Sequence, residues 1–483
     1  MKRTKSNSIN SKFKQEYRFF IENYLFRLLG ITKKTLKNDF LELEQQTAYV
    51  VQSDGNIYFS ASRTRLFKLD LEGVQGIADD NIRLANRIIQ EFVSLSEYQR
   101  TGSKKQNNAY PDRELHPGAY AVYRDYIYKR AIEKGICYWM LGDYQSDYIE
   151  EFLAILEEWS VKTYEGRSVT MGFIINPTES STFDSTYGNW LSFMRDDAAA
   201  VLTDCIHSLI ELDKDCNYLR HISISEGDCL PHCELSYKIP LRFTQVIQSH
   251  INGKKIGIFL LNNGDIILAK NGAICFVKRN LQWLNLSYEA FCNSLEPFIQ
   301  EYHVTDEKLI KSVFASVLDV SFSHTGGIIA LVDTPWNDRK AIGLSESRIL
   351  HPCDNLQSDK SPAELFREVT KGVRKSILKI KVEDANRRLL KRNVIKSLIH
   401  DSIFQNIDRK LRSELMSLDG ACILDCTGNV YSFGAIIQND SGSSGGGRGA
   451  AARKLSAYGM AVKISTDGYI ELYINETVVY AIK

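Results

Sequence analysis

Two rhythms of apolar residues alternate along this chain. Phe13 to Leu29 places aromatic and aliphatic side chains at helical spacing. Gln46 to Ser62 then alternates strictly, and its Ser53-Asp54-Gly55-Asn56 centre predicts a hairpin, because an Asp-Gly pair accepts the left-handed backbone of a tight turn. Asp79 to Tyr98 returns to helical spacing through Ile82, Leu84, Ile88, Ile89, Phe92 and Val93. The polar stretch Thr101–Pro117 reads as a linker.

Beyond it, Tyr120–Lys134 predicts a helix, Ile136–Gly142 a buried strand, Asp147–Trp159 a helix, Ser168–Asn176 a strand and Asp196–Leu212 a helix. Strands alternating with helices predict an α/β layer. From Lys255 the pattern turns to β, with turns at Asn263-Gly264 and Asn271-Gly272. Helices follow over Tyr288–Tyr302 and Asp306–Asp319, then a strand over His324–Val332, a loop over Ser347–Leu365 and a long basic helical region over Ala363–Leu418. A strand over Val430–Ile437, a small-residue helix after Arg448 and a closing hairpin complete the chain. The expected fold class is mixed α/β (α+β). An N-terminal α+β domain (1–105), a middle α/β domain (117–250) and a β lead-in with a helix (251–304) precede a C-terminal domain (305–483). That last domain is expected to hold a central mixed sheet flanked by helices, with a helical insertion at about 351–410.

Composition changes this picture little. A net charge of +1 gives no global field toward nucleic acid or membrane. Ten dispersed cysteines in a chain of 483 residues lack framework spacing and read as free thiols in a reducing cytoplasm. No apolar core follows the basic N-terminal residues, and IENYLFRLLG is short and interrupted by charge, so neither a signal peptide nor a membrane span is expected.

Three clusters carry candidate chemistry besides the C-terminal end. Asp196, Asp197 and Asp204 read as helix-start charge and a solvated face. Cys229, His232 and Cys233, with Cys216 and His221 upstream, have metal-ligating side chains, but zinc sites want two pairs separated by a turn. Buried thiols and surface histidines are the commoner occupants, and zinc is not expected. The cations from Arg367 to Arg392, in the 363–418 region, read as a solvated helix face with Leu, Val and Ile buried opposite, since no aromatic residues interleave with them for stacking on nucleic acid.

The most informative stretch lies between Leu418 and Asp467. Asp419-Gly420-Ala421 is expected on a buried strand, followed by a second strand, the loop NDSGSSGGG and Arg448 at a helix start. Free N–H groups and dipole charge at a helix start, with a guanidinium fork beside them, suit phosphate oxygens. An aspartate one strand away suits a divalent metal held against those phosphates.

These residues resemble the diadenylate cyclase domain, which condenses two ATP molecules into cyclic di-AMP. The family's Asp-Gly-Ala matches Asp419, Gly420 and Ala421. Its Gly-Thr-Arg-His-Arg-Ala-Ala run is similar to Gly446, Gly447, Arg448, Gly449, Ala450, Ala451 and Ala452. Its strand near the adenine is similar to His324–Val332, with Gly326 and Gly327, and its acidic turn to Ser465, Thr466, Asp467 and Gly468. The resemblance implies a nucleotide ligand on Gly326, Gly327, Gly420, Ala421, Gly446, Gly447, Arg448 and Ala451. It implies Mg²⁺ or Mn²⁺ on Asp419, with Asp467 as the remaining acidic partner. The departures are as informative. The Arg-His-Arg triplet is reduced to Arg448, Gly449 and Ala450, which removes two phosphate contacts worth ~1.5–3 kcal/mol each. Leu418 stands where active members usually carry His, and the acidic turn has lost a carboxylate. A framework kept while its phosphate grip is eroded points to a nucleotide sensor. The alternatives are an active diadenylate cyclase, in which Asp419 activates a hydroxyl or holds metal and Arg453 or Lys454 replaces the lost triplet, and a non-catalytic interaction protein. A homodimer or higher oligomer is compatible with all three.

Overall fold

The computed structural model describes residues 11–32, 36–43, 49–61, 64–70, 77–105, 117–142, 146–176, 191–192, 209–212, 218–221, 251–332, 350–437 and 446–482. Both helices and sheets are present, so the class is mixed α/β. The chain divides into two compact units, Met1–Asn293 and Ser294–Lys483. Among the described residues no helix is long and apolar enough to cross a membrane.

Unit 1 opens with α1 (Ser11–Phe20), which continues through a π-helical turn (Ile21–Leu25) to a last turn, Phe26–Leu28. Strands β1 (Lys37–Glu42), β2 (Val50–Ser53), β3 (Asn56–Ala61) and β4 (Thr64–Asp70) make a four-stranded sheet in the order β1-β4-β3-β2. The expected hairpin is there. Ser53 pairs with Asn56, and Asp54 and Gly55 take φ values of 51° and 69°. Helices α2 (Asp79–Lys105) and α3 (Pro117–Leu141) pack together. At their crossing Gly135 lies so close that a Cβ would stand 2.4 Å from Ile88 Cγ1. Part of the expected linker, 101–105, is thus the end of α2.

Helix α4 (Ser146–Trp159) and the short pair β5 (Thr163–Tyr164) and β6 (Arg167–Ser168) follow. An eight-stranded sheet holds β7 (Met171–Ile175), β8 (Leu191–Ser192), β9 (Leu209–Leu212), β10 (Tyr218–His221), β11 (Ile256–Leu260), β12 (Ile266–Lys270), β13 (Ala273–Arg279) and β14 (Gln282–Asn285). Its order is β14-β13-β12-β11-β7-β9-β10-β8. The strands read as a lead-in to the C-terminal domain therefore extend the sheet of β7. One hydrophobic core runs from Phe13 to Trp283 through α1, both sheets, α2, α3 and α4. Its centre is aromatic, with Phe20 and Phe92 stacked at 4.4 Å between centroids.

Two sequence expectations fail in this unit. Ile136–Leu141 is the end of α3, not a strand, because Ile132, Ile136 and Met140 recur every four residues and bury one helix face. An uninterrupted apolar run cannot by itself separate a buried strand from a buried helix. Leu209–Leu212, expected at a helix end, is β9, paired in parallel with β7. The rest of that expected helix, 196–208, lies outside the described residues.

Helix α5 (Tyr288–Glu301) spans the division between the units. Unit 2 continues with α6 (Glu307–Ser323), capped by the Asp306 carboxylate on Lys308 N, and β15 (Gly327–Val332). Residues 363–418 are three helices, not one: α7 (Pro362–Thr370), α8 (Lys375–Ile399) and α9 (Arg409–Met416). Then come β16 (Ala421–Asp425), β17 (Val430–Ala435), α10 (Gly446–Ser456), β18 (Gly459–Ile464), β19 (Ile470–Ile474) and β20 (Thr477–Ile482). The sheet order is β17-β16-β15-β18-β19-β20, with β15 and β16 parallel and the other neighbours antiparallel. This is a central mixed sheet with helices packed on it.

The basic helix α8 departs from its expected solvated cations and buried aliphatics. Arg392 is buried and donates to Asn355 O and Ser358 O, both at 2.8 Å, while Arg388 and Lys391 meet the fully buried Asp354. Guanidinium forks here satisfy loop carbonyls that helix or sheet would otherwise pair. Ile380, Leu390, Val394 and Leu398 are among the exposed side chains.

A buried pair in unit 1 supplies a stability test. Arg279 is 3% and Asp265 4% exposed in their side chains, 2.6 Å apart. Replacing Asp265 by Ala removes the carboxylate from a buried guanidinium, with an expected loss of about 3–5 kcal/mol. Glu158→Ala, which breaks the exposed pair with Lys162, changes stability by less than about 1 kcal/mol. Urea unfolding followed by tryptophan fluorescence reads both, since four of the five tryptophans (Trp139, Trp159, Trp190 and Trp283) belong to unit 1.

Candidate functional site

The site expected from sequence collects at one end of the unit 2 sheet. Parallel pairing sets Ile328 beside Ala421, so β15 and β16 start together. Antiparallel pairing sets Gly327 beside Ile464 and Ala421 beside Ala435, so β17 and β18 end there.

Glycines permit this convergence. Gly420 has φ of 117°, and a Cβ on it would lie 2.5 Å from the Gly434 carbonyl carbon. Gly434 in turn, at φ 67°, leaves 3.0 Å from its own Cβ position to Asp419 O. The Asp-Gly-Ala turn therefore rests directly on β17. Lys391 Nζ donates to Gly434 O at 2.7 Å and fixes the turn's other side. Asp419 and Gly420, expected on the buried strand, instead form the turn before it, since β16 begins at Ala421. Asp419 is consequently exposed.

Ala421 is fully buried, in the same cluster as Ala451 and Ala452 of α10 and Ile328 and Ala330 of β15. These small side chains bring the helix close to the sheet. Among the described residues, a Cβ on Gly446 or Gly447 in its first turn would meet nothing within 4 Å. Arg448, half-buried, folds back over the β15 entry. Its Nη1 stands 2.7 Å from where a Cβ on Gly326 would be, and its Nη2 reaches Thr325 O at 3.5 Å. Gly326, at φ 68°, is thus both a turn residue and the seat of the guanidinium.

Asp467 is exposed in the β18–β19 turn at the same end of the sheet. That turn is tied down at Thr466 O, 3.2 Å from His324 Nδ1, and at Gly468 O, which accepts from Ser321 Oγ. The structure thus brings Gly326, Gly327, Gly420, Ala421, Arg448 and Ala451 into one neighbourhood, with Asp419 and Asp467 on two flanking turns. Gly446 and Gly447 form the helix entry. Cys216, Cys229, His232 and Cys233 lie outside the described residues, and His221 ends β10 in unit 1. Among the described residues no group of three or more His, Cys, Asp or Glu is placed to hold a metal. Asp419 belongs to no such group among the described residues, so Mg²⁺ or Mn²⁺ there fits only with ligand phosphate oxygens completing its shell.

Sequence reading missed three side chains. Lys463 Nζ lies 3.9 Å from the Cβ position of Gly449, the second residue after Gly447. It pairs with Glu471 at 2.8 Å, and Tyr473 Oη donates to the same carboxylate at 2.8 Å. Burial, and then the hydrogen bond to Glu471, push the Tyr473 hydroxyl well above its ordinary pKa. The signal was one charged residue in each of two otherwise buried strands, GMAVKI and IELYI. Facing charges on adjacent strands mark an inward polar site.

Comparison of the chain with protein-family models, with curated proteins and with solved structures gives no match.

The Gly420–Gly434 contact yields a test independent of any ligand. Gly420→Ala must shift backbone at a φ that disfavours a side chain, with an expected cost of about 2–5 kcal/mol. Amide hydrogen exchange should accelerate in β16 and β17 and leave unit 1 unchanged.

Proposed function

We propose that unit 2 is a nucleotide-sensing module that holds the phosphate end of ATP or of a cyclic or di-nucleotide. The observation carrying this reading is the placement of two cations at the first turn of α10, Arg448 over Gly326 and Lys463 near Gly449. A fork of donors, an ammonium and the positive end of a helix are three complementary ways to meet phosphate oxygens. Sequence alone left Arg448 as a single cation, because Gly449 and Ala450 replace the charged residues of the cyclase triplet. Lys463 supplies a second cation from the neighbouring strand.

Sensing is favoured over synthesis by the balance of charge. Glu471 already offsets Lys463, so the net positive charge facing a triphosphate is small. Stabilising the charge that develops in phosphoryl transfer asks for more. Asp419 stands on an exposed turn and would hold a divalent cation only together with the ligand's own oxygens. Such a cation would neutralise phosphate charge on binding.

Incubating the full chain with labelled ATP and Mn²⁺ or Mg²⁺, with product and bound nucleotide read in one sample, tests this. Saturable binding without cyclic di-AMP is expected, and Arg448→Ala should weaken it by about 10- to 150-fold, the worth of one charge-assisted hydrogen bond. Cyclic di-AMP that disappears in Asp419→Ala would establish the cyclase instead. Absence of both product and binding, across ATP and cyclic dinucleotides, would leave an interaction protein.

A further inference from the structure

We propose that unit 2 pairs with a second copy of itself through the outer face of α8, as a two-fold, antiparallel helix pair. This inference does not rest on the nucleotide reading of the same unit.

The inner face of α8 is buried within unit 2 through Ala385, Leu389, Arg392, Ile395 and Ile399. The outer face carries Ser376, Ile380, Glu383, Arg387, Leu390 and Val394, all of them exposed. Their spacing alternates between four and three residues throughout. That is the narrow seam of a coiled coil, not the broader stripe of a helix laid on a core. At 1.5 Å per residue the seam runs along about 27 Å of helix. Three of its members are large aliphatics turned to water, with Ile380 66%, Leu390 67% and Val394 51% exposed. Apolar side chains lined up on one exposed face mark an interaction surface.

The order of residues along the seam selects the partner and the geometry. In a two-fold pair the same face meets itself, so every contact is reciprocal. A parallel pair would set Glu383 against the partner's Glu383 and Arg387 against the partner's Arg387, and like charges repel. An antiparallel pair whose axis passes opposite Ala385 sets Glu383 against the partner's Arg387 and Ile380 against the partner's Leu390. Each of these contacts occurs twice, and Ser376 meets the partner's Val394. Moving the axis by half a heptad in either direction sets Glu383 against an aliphatic side chain, which desolvates a charge without a counter-ion. Charge meets charge and apolar meets apolar in the register centred on Ala385.

The charges beside the seam permit this register. Arg387, 79% exposed in its side chain, gives one nitrogen to Asp384 at 2.9 Å and keeps further donors on its planar fork. Asp384 also accepts from Arg388 Nε at 2.8 Å, so it stays paired when Arg387 takes a second anion. Lys379 falls beside the partner's Asn393, and Lys391 is drawn inward to Asp354 and Gly434 O. One helix pair of this length stays below the roughly 1,200 Å² of a standard interface, so the dimer is a weak one that forms at micromolar concentration.

Sedimentation equilibrium of the full chain over the micromolar range, without nucleotide, reads the pairing apart from any association bridged by ligand. A reversible monomer–dimer equilibrium is expected. Leu390→Asp, which sets a carboxylate against the partner's Ile380, should raise the dimer Kd at least about tenfold. Glu383→Arg and Arg387→Glu, each alone, set like charges face to face and should do the same. The double variant, Glu383→Arg with Arg387→Glu, exchanges the charges within each pair and should return the Kd to within about threefold of the parent. All three positions are exposed, so the variants should keep the parental Tm. A monomer at every concentration, a dimer indifferent to Leu390→Asp, or a double variant no tighter than either single one each overturns the proposal.

Discussion

The candidate site of unit 2 depends on one close approach of two backbones. Gly420 and Gly434 lie where no side chain fits, and that contact lets the turn before β16 rest on the end of β17. The start of β16 is thereby held level with the start of β15, and Asp419 is placed on an exposed turn beside it. The same economy of volume recurs at Gly326, whose missing side chain seats the Arg448 guanidinium, and at Gly459, where a Cβ would lie 2.2 Å from Leu331 O. Glycine's conformational freedom and lack of volume are both used.

Small residues then set the height of α10 above the sheet. Ala421, Ala451 and Ala452 are buried between helix and strands, and the first turn of the helix projects past them. Larger side chains here would lift the helix and carry Arg448 away from Gly326. The Lys463–Glu471–Tyr473 cluster keeps an ammonium near Gly449 without leaving it unpaired. A buried cation with a carboxylate partner is far less costly than a lone one.

Unit 1 is built on a different principle. Its centre is a set of rings from α1, α2 and α3, stacked between Phe20 and Phe92 and tilted at Tyr128, and its charged residues are drawn inward in pairs, Arg279 with Asp265 and Lys278 with Glu133 and Glu157. Buried pairs of this kind fix geometry more than they add stability.

The sequence by itself determined the local elements whose period or turn chemistry was unambiguous. The Asp54-Gly55 and Asn271-Gly272 turns, the amphipathic α4, the capped α6 and the closing strands of unit 2 all follow from spacing and from left-handed turn residues. The glycines and Arg448 of the candidate site were legible because they fall in one ordered run. Ile136–Leu141 was not legible as helix, because a continuous apolar run satisfies a strand and a buried helix equally well. Leu209–Leu212 became a strand only because β7 offered it a parallel edge. Which face of α8 turns inward was decided by the loop carbonyls that Arg392 reaches, partners 34 and 37 residues away in the chain. Lys463 and Glu471 entered the site through strand pairing. Hydrogen-bond and packing partners so distant in sequence leave no local pattern, so only the tertiary structure could select them.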